Sequence, residues 1–585
     1  MAYLTFQSEY DKSPETKVSG YDNQAWKGWN QIALIINEIS LKNNILIVDC
    51  YPGTDDTEVL LQIQEAFLPE LTVNMEDVFF AGEKLTELMA FHLTEDRVRG
   101  IMYYGSIMDF IHPQKLENAK AAVKNCHGRV LIYGFGASLV SEEGSLVYAD
   151  MTRWEIQLRY RKGMPNYKQT NYQEDNLKKY KRGFFVEWRI ADKHKASLYD
   201  KMDFYLDTNT KGHPAMVTGD GFRCGLQQVT EQPFRLVPYF DPGVWGGQWM
   251  KEVCRLNQDE SNYAWAFDGV PEENSLYLNY GGVRIESPAM NLILYQPRET
   301  LGEKNYARFG AEFPIRFDFL DTMDGQNLSL QVHPLTDYIH RKFGMAYTQD
   351  ESYYILDTGE GGGVYLGLKE NINNDQMIKD LEEAQQGGDP FDAEKYVNFF
   401  PAKKHDHFLI PAGTIHCSSK NCMVLEVSAT PYIFTFKLWD WGRVGLDGRP
   451  RPIHIEDGKN VLQFNRTTSW VKDNLLNSFQ ELERNSDYMR VRTGLHELEF
   501  IETEVLTVHT KAPIGYDGEM SMCNLVDGKA AIIESIDNAF PSYCLHYAET
   551  VILPAKAGQC SIRPAVPGED IKFLKASIRH CTGSR

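Results

Sequence analysis

The chain has 585 residues, which is too long for one hydrophobic core and indicates two to four domains. Hydrophobic residues make up 43% and charged residues 24% of the sequence, as in ordinary globular proteins. The formal net charge of −21 repels phosphate backbones, so we expect no nucleic-acid partner. No apolar run approaches the ~20 residues of a membrane helix, and the N-terminus lacks a signal-peptide pattern. The ten cysteines form no CxxC pair and indicate reduced thiols. We therefore expect a cytoplasmic protein without a membrane partner.

Helical and strand patterns alternate along residues 1–230. Apolar spacing predicts a first helix over 30–42, and the run ILIVDC predicts a buried strand over 45–50. The same criteria predict helices over 57–67, 116–126 and 152–163, and strands over 129–140 and 146–151. This alternation is typical of an α/β domain with a parallel or mixed sheet.

Two stretches of this domain carry a further pattern. The stretch ILIVDCYPGTDDTEVL has the order of strand, loop and helix of a P-loop kinase, and VYADMTRWEIQLRYRKG is similar to the strand and Arg-rich lid helix of uridine-kinase-like proteins. The phosphate-binding pattern GxxxxGK[ST] is absent, because Gly53 stands alone and no lysine follows it. The resemblance implies a degenerate kinase-like domain with a regulatory or structural role. A basic cluster in the helix, which a solvated helix face explains equally well, contains Arg153, Arg159, Arg161 and Lys162.

Strand patterns dominate from about residue 233, separated by turns rich in Gly, Asn, Asp and Pro. A polar helical insert is expected at 375–398. Further strands are expected at 500–510, 529–535 and 548–558. The predicted fold class is multidomain α+β, with an α/β domain at 1–230, a β-rich domain with a small helical insert at 233–458, and a second, barrel-like β domain at 459–585.

Candidate metal ligands occur one after another within the β-rich region. In NLSLQVHP, the alternation of a strand places Ser329, Gln331 and His333 on one face. Glu351 begins the next predicted strand, ESYYIL, and His416 follows a Pro-Gly turn in LIPAGTIHC. Two imidazoles, a carboxylate and an amide oxygen suit one Zn²⁺ ion, and Mn²⁺ or Fe²⁺ less well. An incomplete protein shell leaves coordination positions open for water or substrate.

A second histidine pair competes with this interpretation. His405 and His407, in KKHDHF, are also spaced for one strand face. Their charged neighbours favour a solvated strand end. A single histidine on a strand is also more often a packing or surface residue than a metal ligand.

The order of the motifs decides between these interpretations. QVHP, then E-x-x-Y, then PAGTIH resembles the pattern of type I phosphomannose isomerases, and PxGxxH is also the second cupin motif. YFDPGVWGG, at 239–247, resembles the start of that family's domain. The resemblance extends over about 233–455 and implies a cupin (jelly-roll) fold there. It also implies that Ser329 lies near a substrate phosphate and that one zinc ion is bound by Gln331, His333, Glu351 and His416.

The family interconverts mannose 6-phosphate and fructose 6-phosphate through a cis-enediol, so we expect a small phosphorylated sugar as the partner. Glu426, in MVLEVSATP, matches a family glutamate and is the candidate acid–base residue, although pairing with a nearby cation explains it equally well. The family motif YRxYDxxR appears here as FKLWDWGR. Lys437 therefore stands where the catalytic arginine is expected, Arg443 is retained as a further catalytic candidate, and Asp440 can orient one of them.

Other positions also depart from the family pattern. Gln349 stands where the family often has lysine, two residues before the glutamate ligand. Lys403 and Lys404 can compensate, but a solvated charge cluster is the alternative. Arg449 and Arg451 can contact a substrate phosphate, or they can have a purely structural role. These departures keep open a non-catalytic, sugar-phosphate-binding regulatory protein that retains the metal-bearing cupin. A cupin oxygenase fits less well, because such enzymes favour two histidines and one carboxylate.

Overall fold

The computed structural model describes residues 3–431, 433–446, 448, 451–494, 496–515 and 518–579. The chain forms two compact units, and each unit collects separated stretches of sequence. The α/β unit contains Glu15–Val229 and Glu272–Gln296, and the β-rich unit contains Met1–Pro14, Thr230–Pro271 and Pro297–Arg585. The segment 272–296 thus belongs to the α/β unit, although strand patterns alone place it with the β-rich region. The three-domain division proposed above remains a prediction.

The first 229 residues contain the predicted alternation of helices and strands. The strands are β1 (Glu15–Lys17), β2 (Ala25–Lys27), β3 (Ile45–Cys50), β4 (Leu71–Asn74), β5 (Val130–Gly134), β6 (Ser145–Asp150), β7 (Phe204–Asp207) and β8 (Ala215–Thr218). The helices are α1 (Trp29–Lys42), α2 (Asp56–Phe67), α3 (Gly82–Leu93), α4 (Pro113–Asn125), α5 (Arg153–Arg161), α6 (Asn176–Arg182), α7 (Trp188–Ala196) and α8 (Gly219–Val229). A π-helical turn joins α6 to α7.

A seven-stranded sheet forms the centre of the α/β unit, in the order β2-β8-β7-β6-β3-β5-β4. Strands β4, β5, β3, β6 and β7 are parallel, whereas β8 and β2 run antiparallel. The predicted mixed α/β sheet is therefore confirmed. The α1 helix buries Ile32, Ile36 and Ile39, which lie on one face because they are three and four residues apart. The prediction for 129–140 was too long, because a 3₁₀ turn at 137–139 follows the strand.

The next part of the chain carries thirteen strands and nine short helices within the described residues. The strands are β9 (Tyr239–Asp241), β10 (Trp265–Gly269), β11 (Ser275–Tyr280), β12 (Val283–Pro288), β13 (Ile315–Asp321), β14 (Leu330–Val332), β15 (Glu351–Thr358), β16 (Gly363–Leu368), β17 (Val397–Pro401), β18 (His407–Ile410), β19 (His416–Ser418), β20 (Cys422–Ala429) and β21 (Phe436–Trp439). The helices are α9 (Trp249–Val253), α10 (Met290–Tyr295), α11 (Pro297–Leu301), α12 (Glu303–Phe309), α13 (Thr336–Phe343), α14 (Asn374–Gln385), α15 (Ala393–Tyr396), α16 (Ile455–Val461) and α17 (Thr468–Asn474). Strands β11 and β12 join β1 in a three-stranded sheet of the α/β unit.

Two antiparallel sheets of the β-rich unit build a cupin-like sandwich. One has the order β18-β15-β20-β13-β10-β9, and the other has the order β17-β16-β19-β14-β21. Side chains from β15 in the first sheet contact side chains from β19 in the second, so the sheets face each other. The predicted helical insert is shorter than expected, because α14 ends before the Gly-Gly-Asp-Pro run at 387–390 and Val397 begins a strand.

The last hundred residues form a second pair of antiparallel sheets. Their strands are β22 (Gln480–Arg484), β23 (Tyr488–Gly494), β24 (Ile501–Val508), β25 (Ala512–Pro513), β26 (Ser521–Asp527), β27 (Ala530–Ser535), β28 (Tyr543–His546), β29 (Thr550–Leu553), β30 (Cys560–Pro564) and β31 (Ile571–Ile578). The sheet orders are β22-β23-β24-β31-β26-β29 and β25-β30-β27-β28. Leu525, Ile533, Leu545 and Phe573 belong to one buried cluster drawn from both sheets. Within the described residues, no helix combines the length and apolarity needed to cross a membrane.

Candidate metal centre and adjoining cavity

Strand pairing brings the four predicted ligands together. Gln331 on β14 is the direct cross-strand partner of His416 on β19, and His333 follows β14 immediately. Glu351 begins β15 in the facing sheet. His333, Glu351 and His416 are all buried, and one ligand atom from each lies within 4.8 Å of the others. Within the described residues, these three side chains form a cluster whose geometry could hold a metal ion.

The contacts among these atoms fit a bound cation. Glu351 places Oε1 at 2.6 Å from Nε2 of His416 and Oε2 at 3.1 Å from Nε2 of His333. Oε1 of Glu351 and Nε2 of His333 are buried and make no hydrogen bond of regular geometry, so both atoms have capacity to bind an ion. The Gln331 amide nitrogen lies 3.2 Å from Nε2 of His416, and rotation of the amide exchanges it for the oxygen. The donor set suits a divalent ion with mixed N and O ligands.

The orientation of His416 also suits metal binding. Its Nδ1 lies 2.9 Å from the carbonyl oxygen of Thr414 and donates to it, which leaves the Nε2 lone pair directed at Glu351. Burial alone raises the pKa of Glu351. The two histidines outweigh this effect and hold the pKa of Glu351 well below its usual value, so the carboxylate is ionised.

A buried arginine that sequence reasoning missed holds the PxGxxH loop. Arg466 donates hydrogen bonds of 2.7 Å to the carbonyl oxygens of Pro411 and Ala412, and it also donates to the hydroxyl of Thr414. Gly413 has a φ of +89°, and a Cβ there would lie 2.7 Å from Gln463. Arg466 carried no motif signal, because it follows the loop by many residues and only the fold brings the two together.

A cavity of about 180 Å³ lies beside the ligand cluster. It combines aromatic side chains, carboxylates, amides and cations. Four predicted site residues are among those that line it, namely Ser329, Gln331, Glu426 and Lys437. The other lining residues are Trp245, Trp265, Phe267, Arg316, Asp318, Leu320, Leu328, Gln349, Thr435 and Arg451. Trp245 comes from the motif YFDPGVWGG and packs edge-to-face on Trp265, with ring centroids 4.6 Å apart.

Glu426 lies opposite Asp318 across the β13–β20 pair, and Arg316 contacts both carboxylates. The guanidinium of Arg316 lies 3.0 Å from Asp318 and donates to Oε1 of Glu426. Burial raises the pKa of Glu426 to about 7, the charge of Glu351 adds to this rise, and Arg316 opposes it. Sequence reasoning anticipated a cation near Glu426 but did not find Arg316. The signal was available in the run RFDFLD, where charged residues alternate on one face of an otherwise apolar strand.

Gln349 connects the ligand cluster to Glu426. Its amide nitrogen lies 3.0 Å from Oε2 of Glu351 and 3.4 Å from Oε1 of Glu426, and it donates to both. The residue that departs from the family pattern therefore occupies the position between the predicted metal ligand and the predicted acid–base residue.

Lys437 and Arg443 have different surroundings. Lys437 is the cross-strand partner of Gln331 and lines the cavity. Arg443 donates to the carboxylate of Asp440 and to the carbonyl oxygen of Asn327, at 2.7 Å. The structure thus brings Lys437 to the predicted ligands and commits the guanidinium of Arg443 to loop contacts.

Asp440 contacts two polar residues of the cavity wall, Ser329 and Arg451. The hydroxyl of Ser329 donates to Oδ1 of Asp440 at 2.8 Å, and the guanidinium of Arg451 lies 2.9 Å from Oδ2. Arg451 donates to Ser329 at 3.1 Å as well. A hydroxyl and a cation therefore meet at the cavity wall, which suits an anionic group of a ligand. Arg449 lies outside the described residues.

The competing candidates lie elsewhere in the β-rich unit. Lys404 and His405 both contact Asp527, at 3.1 and 3.3 Å. His407 is buried, and burial lowers its pKa to about 3, so its ring is neutral. The solvated strand end predicted for this histidine pair is wrong for His407, because β18 turns that side chain into the interior.

The carboxyl edge of the parallel sheet in the α/β unit is occupied by the unit's own charged side chains. Asp49 on β3 accepts a 2.7 Å hydrogen bond from Ser138 and lies 2.9 Å from Nε2 of His194. Asp150 on β6 lies 3.1 Å from Nζ of Lys195. Ligands of doubly wound sheets bind at this edge, and here buried ion pairs fill it. The kinase-like resemblance remains a prediction.

The basic cluster is divided between interior and surface: Arg153 is turned inward, whereas Arg161 and Lys162 are exposed, as a solvated helix face requires. Arg153 has 4% of its side chain exposed and donates to Asp192, so a solvated helix face does not explain it. Arg159 donates to the carbonyl oxygen of Gly53 at 3.1 Å. A Cβ at Gly53 would lie 2.8 Å from Ile156 of the same helix, so α5 packs against the loop that phosphates occupy in P-loop proteins.

The fold and the site together define a protein of cupin-like architecture with a buried His–Glu–His cluster. Residues 28–231 match a family described as a domain of unknown function, DUF8485. Mannose-6-phosphate isomerase from Streptococcus mutans is 26% identical over 248 residues, which cover 41% of this chain and 72% of that protein. Mannose-6-phosphate isomerase ManA from Bacillus subtilis is 25% identical over 240 residues, covering 40% and 69%. A crystal structure of mannose 6-phosphate isomerase from Bacillus subtilis is 18% identical, with a TM-score of 0.48, and covers 59% of this chain and 99% of that one. The resemblance to phosphomannose isomerases predicted from the motifs is confirmed.

Proposed function

We propose that this protein is a metal-dependent aldose–ketose isomerase that interconverts mannose 6-phosphate and fructose 6-phosphate. The observation that carries the proposal is the convergence of His333, Glu351 and His416 beside a cavity that also presents Glu426 and Lys437. The curated proteins similar to this chain carry the name of that enzyme. Their similarity supports the same reaction class for this chain.

Gln331, His333, Glu351 and His416 would hold one divalent ion, and their donor set favours Zn²⁺. Such an ion supplies Lewis-acid polarisation of substrate oxygens. The cluster is buried at the inner face of both sheets, so bulk water has little access to it. A dry site of this kind strengthens the electrostatic interactions that the reaction needs.

Glu426 is the proposed acid–base residue. The isomerisation moves a proton between C1 and C2 through a cis-enediol, so one group must accept the proton and return it. Arg316, Ser428 and Gln349 all donate hydrogen bonds to Oε1 of Glu426. The other carboxylate oxygen, Oε2, is therefore the proposed acceptor of the substrate proton. Burial raises the pKa of Glu426 to about 7, which is close to the range at which a carboxylate both accepts and returns a proton.

The polar end of the cavity is the proposed phosphate site. Ser329 and Arg451 meet there, with Asp440 orienting both of them. Lys437 lies on the strand beside Gln331, between this end and the proposed metal ligands. We propose that Lys437 neutralises charge that develops on the enediol oxygens, and that Arg443 acts through Asp440 as a positioning residue.

The test is turnover by the metal-loaded full chain. Purified protein is supplied with Zn²⁺, Mn²⁺ or Fe²⁺, and fructose 6-phosphate formation from mannose 6-phosphate is followed. His416→Gln should lose both bound metal and activity, whereas His509→Gln is the matched control because His509 is exposed and pairs with Asp570. Absence of turnover with every hexose and pentose phosphate, despite bound metal, would overturn the proposal.

A second candidate function is sugar-phosphate binding without turnover. Two observations favour it: Gln349 is the residue that bridges Glu351 and Glu426, and Arg316 is held by two carboxylates. Calorimetric binding of mannose 6-phosphate without product formation would support this candidate. The double substitution Gln349→Lys and Lys437→Arg restores the residues typical of the resembled family, so turnover in that variant alone would identify a regulatory protein that has lost catalysis.

A further inference from the structure

Cys544 and His546 lie on strand β28, and Glu549 lies between β28 and β29, far along the chain from the metal cluster. Sγ of Cys544 lies 3.7 Å from Nε2 of His546, and Nδ1 of the same ring lies 3.2 Å from Oε1 of Glu549. The two ring nitrogens thus face different partners. A ring that donates from Nδ1 to a carboxylate keeps its Nε2 lone pair for the thiol proton.

The position of β28 exposes the thiol. This strand is the edge of the sheet β25-β30-β27-β28. Leu545 points into the hydrophobic core, so Cys544 and His546 lie on the opposite face. Of the nine cysteines that the structure describes, Cys544 is the exposed one. A small molecule in solution therefore has access to Sγ.

Contacts with other residues hold the Glu549 carboxylate, which orients His546. Glu549 is buried and lies 2.8 Å from the guanidinium of Arg235. It also accepts 2.7 Å hydrogen bonds from the backbone amides of Asp11 and His546. These contacts hold the carboxylate in place, so the imidazole has a fixed partner and a fixed direction. An oxygen of Glu9 lies 3.5 Å from Nε2 of His546, and this second carboxylate stabilises the positive charge that the ring acquires when it takes the thiol proton.

We propose that Cys544, His546 and Glu549 form a reactive thiol site whose substrates are low-molecular-weight disulfides. The Cys544 thiol transfers its proton to Nε2 of His546, and the thiolate attacks one sulfur of the disulfide. A new bond forms to Sγ of Cys544 and the original sulfur–sulfur bond breaks. The other half leaves as a thiolate and takes up the proton from His546. The product is a mixed disulfide on the protein, which an added thiol reverses. Hydrogen bonds from the protonated ring to Cys544 and Glu549 raise the pKa of His546 to about 10, so the ring retains the proton that it takes from the thiol.

The test measures thiol reactivity in the folded full chain. A chromogenic aromatic disulfide, DTNB, is added at pH 7 in excess, and release of its thiolate is timed. One thiol should react in a fast phase, and Cys544→Ser should remove that phase. His546→Gln should slow it by roughly tenfold, because the variant lacks the ring that takes up the thiol proton. His509→Gln is the matched control, since His509 is exposed and also pairs with a carboxylate but lies away from any cysteine contact in the described structure.

Two further measurements keep the result independent of folding defects in a variant. The difference in thiolate absorbance near neutral pH between the wild-type chain and Cys544→Ser reports the ionised sulfur directly. Incubation with glutathione disulfide followed by peptide mass analysis should place one adduct on Cys544 among the ten cysteines. An equal rate in His546→Gln and wild type, or a fast adduct on another cysteine, would overturn the proposal. Neither outcome depends on isomerase activity, so the thiol site and the proposed function fail separately.

Discussion

Replacing Glu426 by glutamine tests the acid–base assignment most directly. Glutamine has the shape of glutamate and can still accept from Arg316 and Ser428 at Oε1, but it cannot take a proton from substrate. General acid–base catalysis contributes about 10²–10⁴-fold to a rate. We therefore expect kcat to fall by that factor, equivalent to roughly 3–5 kcal/mol of transition-state stabilisation, with KM little changed.

The fold should tolerate this substitution. The Arg316 guanidinium keeps Asp318 at 3.0 Å as an ionic partner, so its charge is not left unpaired. Losing a charge-assisted hydrogen bond costs on the order of 1 kcal/mol, and relief of repulsion from Glu351 offsets part of this cost. Urea unfolding of the variant should show a change in the free energy of unfolding of about 1 kcal/mol or less.

Asp318→Asn is the matched control for this experiment. Asp318 faces Glu426 across the strand pair, contacts the same arginine and lines the same cavity. If Glu426 acts only by holding Arg316, both variants should lose the same amount of kcat. If Glu426 moves the proton, Glu426→Gln should be slower than Asp318→Asn by at least tenfold. Equal kcat values, or a Glu426→Gln rate within threefold of wild type, would refute the assignment.

Three further outcomes follow from other contacts. Arg466→Met should weaken metal binding by about 10–100-fold in a competition titration, because the loop that presents His416 loses the hydrogen bonds from Arg466. Unchanged metal affinity would contradict the positioning role of Arg466. Arg451→Gln should raise KM for the sugar phosphate and leave kcat nearly unchanged in steady-state assays, and the opposite split would exclude a phosphate-binding role. Burial raises the pKa of Glu286 to about 7, with Asp207 adding to the rise, so the folded chain keeps a proton that the unfolded chain releases between about pH 4.5 and 7. Stability from this group is therefore lost as pH rises through that window. The free energy of unfolding of Glu286→Gln, measured in urea, should exceed that of wild type by on the order of 1–3 kcal/mol at pH 8 and match it at about pH 4.

The ligand cluster could be predicted from sequence because its chemistry is carried by short motifs. QVHP and PAGTIH carry the resemblance to a known family, and that resemblance implied that Gln331, His333 and His416 lie together. Arg316 and Arg466 could not be predicted in this way. Each is a single charged residue within an ordinary strand or loop, and its role depends on partners far along the chain, such as Glu426 and Pro411.

The same distinction applies to the fold. Helices and strands of the α/β unit were predictable because apolar periodicity is local. The return of residues 272–296 to that unit was not, because SLYLNYGGVRIES has the pattern of any hairpin and its partner strand Glu15–Lys17 is only three residues long. His407 was misplaced for a related reason. Its charged neighbours in KKHDHF indicate solvent, but the side chain alternates to the inner face of β18.

The cavity departs from the resembled family in the position of its positive charge. Gln349 is neutral, and it donates to Glu351 and Glu426, so it can orient both carboxylates without altering their ionisation through charge. Arg316 supplies a cation on the other side of Glu426, but Asp318 shares that cation. A guanidinium shared by two carboxylates lowers the pKa of Glu426 less than a dedicated lysine would, which keeps Glu426 a stronger base. Under the proposed assignment of Glu426 as the acid–base residue, the exchange of a lysine for a glutamine does not by itself abolish proton transfer, because the base strength of Glu426 and its orientation by Gln349 would act on the same step.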